Sequence, residues 1–183
     1  MANVKQTADQ KFENLAGKYI SEFIKMNPER ATTLGDHRYD GQLGDYTLAG
    51  IKKDRAFTEK YLKELNKVDF AKLSKVNNVD ARSMKHNLEA KIFQIDELKE
   101  YEWNPLVYNA GSAINSLISR DFAPLKDRLM SAKSRLEQIP MVVAAAKANL
   151  KNPPRVHTET AISQNKGVIA LIKGDLQMFI DQA

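Results

Sequence analysis

The chain has 183 residues, 43% apolar and 28% charged, with a net charge of +5; this is enough for one domain with a sizeable core and too apolar for wholesale disorder. The charge excess is spread thinly, with 6 basic against 7 acidic groups in residues 1–50, 12 against 9 in 51–100 and 10 against 7 in 101–183, so no basic patch marks a nucleic-acid reader. The absence of cysteine excludes disulfides, thiolate metal sites and thiol nucleophiles together.

The first ten residues, "MANVKQTADQ", are polar and carry no apolar core of a signal peptide. Phe12, Leu15, Ala16, Tyr19, Ile20, Phe23 and Ile24 then follow an i, i+3, i+4, i+7 rhythm, which predicts an amphipathic helix. Asn27-Pro28 stops it and opens a short second helix, with Asn27 as cap and Pro28 at the first position. Gly35 is the expected C-terminal stop of that helix.

Thr47 opens a helix toward Leu65, with Leu48, Ile51, Ala56, Tyr61, Leu62 and Leu65 as inward positions. Asp69 caps a turn through Leu73. A long helix begins near Asp80 and carries Met84, Leu88, Ile92, Ile95 and Leu98. Pro105 breaks it, and a further helix covers Leu106 to Ile118. Pro124 starts the next, with Leu125, Leu129, Ala132 and Leu136 on its apolar side, and Pro140 is expected to kink or divide it. "NLKNPP" ends this element. The last helix starts at Thr158, with Glu159 in its first turn and Ile162, Ile169, Ile172, Leu176 and Phe179 on one face.

No alternating apolar and polar run with hairpin turns is present. The prediction is therefore all-α: a multi-helix bundle or array of about seven to eight helices with proline-marked breaks, forming a single helical domain over 1–183. The most apolar run, "IPMVVAAAKANL", is too short to span a bilayer and is interrupted by Pro140 and Lys147, so no transmembrane segment is expected. The chain ends "LQMFIDQA", still in helical rhythm and without a stop signal, which favours a chain that continues in a longer protein.

Three histidines, His37, His86 and His157, lie 49 and 71 residues apart. No two share a helix face, and the His-Glu-x-x-His pattern of zinc peptidases is absent, so no metal ligands are assigned. A calcium loop starting at Asp36 would put Asp40 and Gly41 in suitable places. It fails because Arg38 and Thr47 fall where carboxylates are needed. "NAGSAINS" lacks the Gly-x-Ser-x-Gly elbow, and no phosphate-binding glycine loop exists. Paired carboxylates such as Asp96-Glu97 read as a solvated helix face.

One passage, "PERATTLGDHRYDGQLGDY", concentrates a His, two Arg, three Asp, three Gly and two Tyr in residues 28–46. Asp36, His37, Arg38, Tyr39 and Asp40 form its dense mixed cluster. The residues themselves permit two readings: helix-end capping with mutual pairing, or contact with a substrate.

Three passages in order resemble one bacterial family, domain of unknown function 885. The first is "NPERATTLGDHRYDGQLGDY", with Pro28, Leu34-Gly35 and His37-Arg38-Tyr39-Asp40. The second is "RLEQIPMVVAAAKANLKNPP", with Arg135-Leu136, Ile139-Pro140 and Pro153-Pro154. The third is "HTETAISQNKGV", with Thr158-Glu159, Gln164 and Gly167. The family is similar to gluzincin-type zinc metallopeptidases and is mostly exported or lipid-anchored. The resemblance implies that this chain is the N-terminal helical region of a longer protein and is inactive alone. The His-Glu-x-x-His helix, the zinc and the general base would lie in the missing C-terminal domain, the chain's implied partner. No catalytic residue is carried over. Asp36, His37, Arg38, Tyr39, Asp40 and Tyr108 are implied as one wall of a cleft for a peptide substrate. The alternative is a complete helical binding or scaffold domain.

Overall fold

The structure, a computed structural model, describes residues 6–182. The first half of the polar start, residues 1–5, and Ala183 lie outside the described residues. The fold is all-α, with no strand among the described residues. Its helices are α1 (Ala8–Met26), α2 (Pro28–Leu34), α3 (Leu48–Leu65), α4 (Lys75–Phe93), α5 (Glu100–Trp103), α6 (Gly111–Ile118), α7 (Leu125–Asn149), α8 (Arg155–Lys173) and α9 (Asp175–Gln182). Among the described residues, no helix is long and apolar enough to cross a membrane. The chain forms two compact units: residues up to Phe23 with Lys52–Leu98, and Ile24–Ile51 with the chain from Lys99 onward.

The first unit is held by an aromatic cluster. Tyr19 stacks on Phe57 at 5.5 Å between ring centroids and meets the edge of Tyr61 at 5.2 Å. Phe12, Tyr61, Leu65, Ala81 and Leu88 are buried. The α1 stripe is inward as predicted except at Ile20, which is exposed. In α3, Leu48 and Ala56 point to solvent, and Phe57 and Thr58 are buried instead. Helix α4 starts at Lys75 and not near Asp80, because Ser74 caps it by accepting from the Asn77 amide at 3.3 Å. Asp9 adds a second tie by accepting from the Ser74 amide at 3.0 Å and from Asn77 Nδ2 at 2.8 Å. At its far end α4 runs into a π-helical turn over Gln94–Leu98, where Leu98 is exposed. Lys99, at φ 48°, ends it in the left-handed region.

In the second unit, Ile114, Leu117, Ile118, Ala132 and Leu176 form the buried centre, with Leu129, Leu136 and Phe179 packed against it. Helix α2 ends as predicted at Gly35, whose φ of 88° suits a residue without Cβ. The amide of Asp36 returns to Ala31 O and that of Gly35 to Thr32 O, closing the last turn. Pro28 takes the first helical position, but Asn27 makes no side-chain cap on this helix.

The region after Pro105 departs from the expected helix. A 3-10 turn over Pro105–Tyr108 precedes α6, which begins only at Gly111, because Asn109 accepts from the Gly111 amide at 2.8 Å and ends the turn. Helix α7 runs unbroken through Pro140. Pro140 is exposed, so water can reach the backbone that its missing N–H leaves unpaired. Helix α8 begins at Arg155, ahead of Thr158, and stops at Gly174 before α9. Ile162 and Ile169 lie exposed, while Ala161 and Leu176 supply buried contacts.

Candidate functional site

The polar passage between α2 and α3 is tied down at almost every polar group. Asp36 accepts from the Arg38 amide at 3.2 Å, capping the 3-10 turn His37–Tyr39. It also receives a two-pronged contact from the Arg38 guanidinium, at 2.9 Å from Nε and 2.6 Å from Nη2. That contact holds the Asp36 carboxyl down at about 2 and raises Arg38 in return. The Arg38 guanidinium lies 5.5 Å from the Tyr39 ring.

Asp40 is buried, with one oxygen accepting from Thr32 Oγ1 at 2.6 Å and the other from His37 Nδ1 at 2.9 Å. In the neutral ring, donation from Nδ1 to this carboxylate leaves Nε2 as the acceptor. The His37 ring stacks on Phe122 at 3.8 Å with 8° between planes, which fixes its orientation.

Thr32 in turn accepts from Arg135 Nη2 at 2.6 Å. Arg135, on α7, is fully buried and reaches three further carbonyls: Gln42 at 3.0 Å, Ala113 at 2.6 Å and Pro28 at 3.4 Å. Burial pulls its guanidinium below the ordinary arginine value, against the upward pull of Glu29 and Asp40. Ser134 and Gln138 donate to Gly41 O, each at 2.8 Å, and Gln138 accepts from the Leu43 amide at 3.0 Å. Further along, Glu29 accepts from the Gly44 amide at 2.9 Å and from the Tyr46 hydroxyl at 3.1 Å. Burial, with Glu29 beside it, raises the Tyr46 hydroxyl well above the usual tyrosine value. These contacts make the passage a strap pinned to α7 and α2.

Tyr108 sits elsewhere in the same unit. Its hydroxyl donates to Tyr101 O at 2.6 Å and accepts from Asn149 Nδ2 at 3.1 Å, while Asn149 also donates to Tyr46 O at 2.9 Å. Burial raises this hydroxyl as well. Its ring lines an open cleft of about 420 Å³, with Pro105, Val143, Lys147, Leu150 and Asn165 among the other walls. Asp36 to Asp40 do not line this cleft. The predicted residues therefore fall in two places: a strap cluster from Asp36 to Asp40, and Tyr108 in the cleft.

Sequence reading missed Arg135, Thr32, Gln138 and Asn149 as organisers of this unit. A signal existed. Arg128, Arg135, Val142 and Asn149 recur every seven residues in α7 and are all buried, so polar side chains sit at an inward-facing position. Arg128 uses its place to close α6, donating to Leu117 O at 3.3 Å and Ile118 O at 3.0 Å.

Zinc is the metal the family resemblance implies, and the described donors do not gather into a ligand set for it. His37 and Asp40 form a pair without a third ligand. Among the described residues no group of three or more His, Cys, Asp or Glu is placed to hold a metal ion. No chemical step is assigned to a metal on these residues.

A comparison with curated proteins returned no match. Among solved structures, the chain is similar to one from Shewanella oneidensis, described as "a putative lipoprotein of unknown function", with 30% identity and a TM-score of 0.88. The match covers 94% of this chain and 32% of that one, so the present chain spans about a third of its solved relative. A family model described as "Bacterial protein of unknown function (DUF885)" matches residues 28–183, the segment that carries both the strap and the cleft, and the chain belongs to that family.

Proposed function

We propose that this chain is the N-terminal helical region of a longer, exported, zinc-metallopeptidase-like protein, not catalytic by itself, and that it supplies one wall of a peptide cleft. The observation that carries the wall role is the Tyr108 cleft. Its hydroxyl is spent on Tyr101 and Asn149, so the ring presents an apolar surface to a ligand. Extension beyond this chain is supported by the 32% share of the solved relative. Export and lipid anchoring draw support from that relative's description, and the peptidase class from the family resemblance. The zinc and the general base would be furnished by the rest of the polypeptide, which is also the proposed partner of this region.

Asp36, His37, Arg38, Tyr39 and Asp40 are proposed as a second contact to the substrate, offered through His37 Nε2 and the exposed Arg38. The Asp40 bond to His37 Nδ1 and the stack on Phe122 pre-organise that nitrogen as an acceptor.

The test compares the full-length protein with this chain in a zinc-supplemented peptide hydrolysis assay. Hydrolysis is expected from the full-length protein alone. Activity in this chain by itself would contradict the non-catalytic assignment, and an inert full-length protein would contradict the peptidase class. Tyr108→Ala is expected to raise KM with little change in kcat. His37→Ala is expected to do the same; unchanged kinetics with lowered stability would leave the strap a purely structural element.

A second reading, a stand-alone helical binding domain, is favoured by one observation: the cleft is built entirely from the second unit of this chain. The exposed Ile162, Ile169, Met178 and Ile180 favour the first, since apolar side chains in this number suit burial against further polypeptide. Dye binding by hydrophobic probes, strong for this chain and weak for the full-length protein, supports the first reading; equal weak binding supports the second.

A further inference from the structure

We infer that the Tyr108 cleft takes the C-terminal end of an extended apolar peptide, with Lys147 receiving its free carboxylate. The inference deepens the cleft reading above and rests on it for the cleft being a binding site.

Much of the polar capacity of Tyr108 and part of that of Asn165 is already committed within the fold. The Tyr108 hydroxyl is committed to Tyr101 O and Asn149, and Asn165 Nδ2 donates to Ala161 O at 2.9 Å. Pro105, Val143 and Leu150 contribute apolar wall. The remaining ionic group is Lys147, which is exposed and makes no ion pair among the described residues. The nearby Lys151 differs, since its ammonium is paired with Glu102 at 2.8 Å. The cleft thus offers, beside apolar surface, one ammonium without an ion-pair partner among the described residues, and the complementary ligand carries one negative charge next to an apolar group. A peptide's terminal carboxylate and last side chain stand in that relation within one residue.

Shape separates a peptide from other apolar anions. The cleft is open to solvent and its volume of about 420 Å³ suits a short segment. An extended peptide lying there buries its side chain while its amides stay hydrated. An acyl chain would leave one apolar flank in water, which costs free energy in proportion to the exposed area. An aromatic wall such as the Tyr108 ring also suits an extended backbone.

The experiment uses this chain without zinc, followed by amide and side-chain NMR. An apolar tripeptide is added as the free acid or as the C-terminal amide, and decanoate is added separately. The free acid is expected to shift signals of Tyr108, Val143, Lys147 and Asn165, and to bind about fivefold more tightly than the amide, as one exposed charge pair allows. Lys147→Gln should abolish that preference and leave amide binding unchanged, while Lys147→Arg should keep it. Equal affinity for acid and amide, shifts mapping elsewhere, tighter binding of decanoate, or no binding at millimolar peptide would each overturn the inference. Hydrolysis by the full-length protein with this cleft empty of peptide would refute the inference and leave the peptidase reading standing. Carboxylate-selective binding here with an inert full-length protein would do the reverse.

Discussion

Arg135 Nη2 donates to Thr32 Oγ1 at 2.6 Å, joining α7 to α2 across 103 residues of sequence. Thr32 passes the contact to Asp40, and Asp40 to His37. The candidate cluster is therefore coupled to the centre of the second unit, and its geometry depends on a buried arginine.

Replacing Arg135 with Met should destabilise the chain by about 3 kcal/mol, because carbonyls of Gln42 and Ala113 lose their donor inside the fold. Lysine should recover little of this, since one ammonium cannot reproduce the spread of the guanidinium. Urea unfolding followed by circular dichroism reads the change. With Thr32→Val added, the two losses should fall short of additivity by about 1 kcal/mol; strict additivity would show that the contact carries no energy.

Asp36 should titrate near 2, well below an ordinary aspartate. Its folded value is depressed, so its contribution to stability is present above 3.8 and is lost as pH falls through about 2. Carboxyl-carbon NMR measures this directly. Arg38 is exposed and Asp36 partly so, so added salt should move the midpoint upward. A midpoint at or above 3.8 at low salt would show that Arg38 does not hold this carboxylate in solution.

Pro140→Ala should stabilise the chain by about 1–2 kcal/mol. It restores a helical N–H within an unbroken α7 and removes the ring's clash with the preceding turn, while returning some freedom to the unfolded state. Thermal melting checks it. A lower melting temperature would mean that contacts of the Pro140 ring outweigh the restored hydrogen bond.

Gly111→Ala should cost about 1–3 kcal/mol. A methyl built there would stand 2.4 Å from Val168 Cγ2 and 3.0 Å from Asn109 Oδ1. Val168→Ala should relieve much of the loss in the double variant. Loss unchanged by Val168→Ala would place the strain at Asn109.

Much of the local architecture is legible in the order of residues. Phe12 to Ile24 follow a helical rhythm, and Gly35 ends α2 in the left-handed conformation it alone adopts easily. Starts were harder. Ser74 competes with Asp80 as a cap, and Asp9, 65 residues away, contacts the Ser74 amide. Composition also gave no indication that Ile162 and Ile169 would stay exposed while Arg135 went inside.

Propensity, capping and residue type act within a few positions, and from them follow the all-α class, the breaks at Pro28 and Gly35 and the lack of thiol chemistry. The long-range contacts that hold the passage from Pro28 to Tyr46 are visible in the folded chain alone. Its partners Ser134, Arg135 and Gln138 lie 93 to 107 residues away, and desolvating a guanidinium is tolerated only where carbonyls from several segments converge on it. Helical periodicity is a local property; that convergence exists only once α2, α6 and α7 have packed.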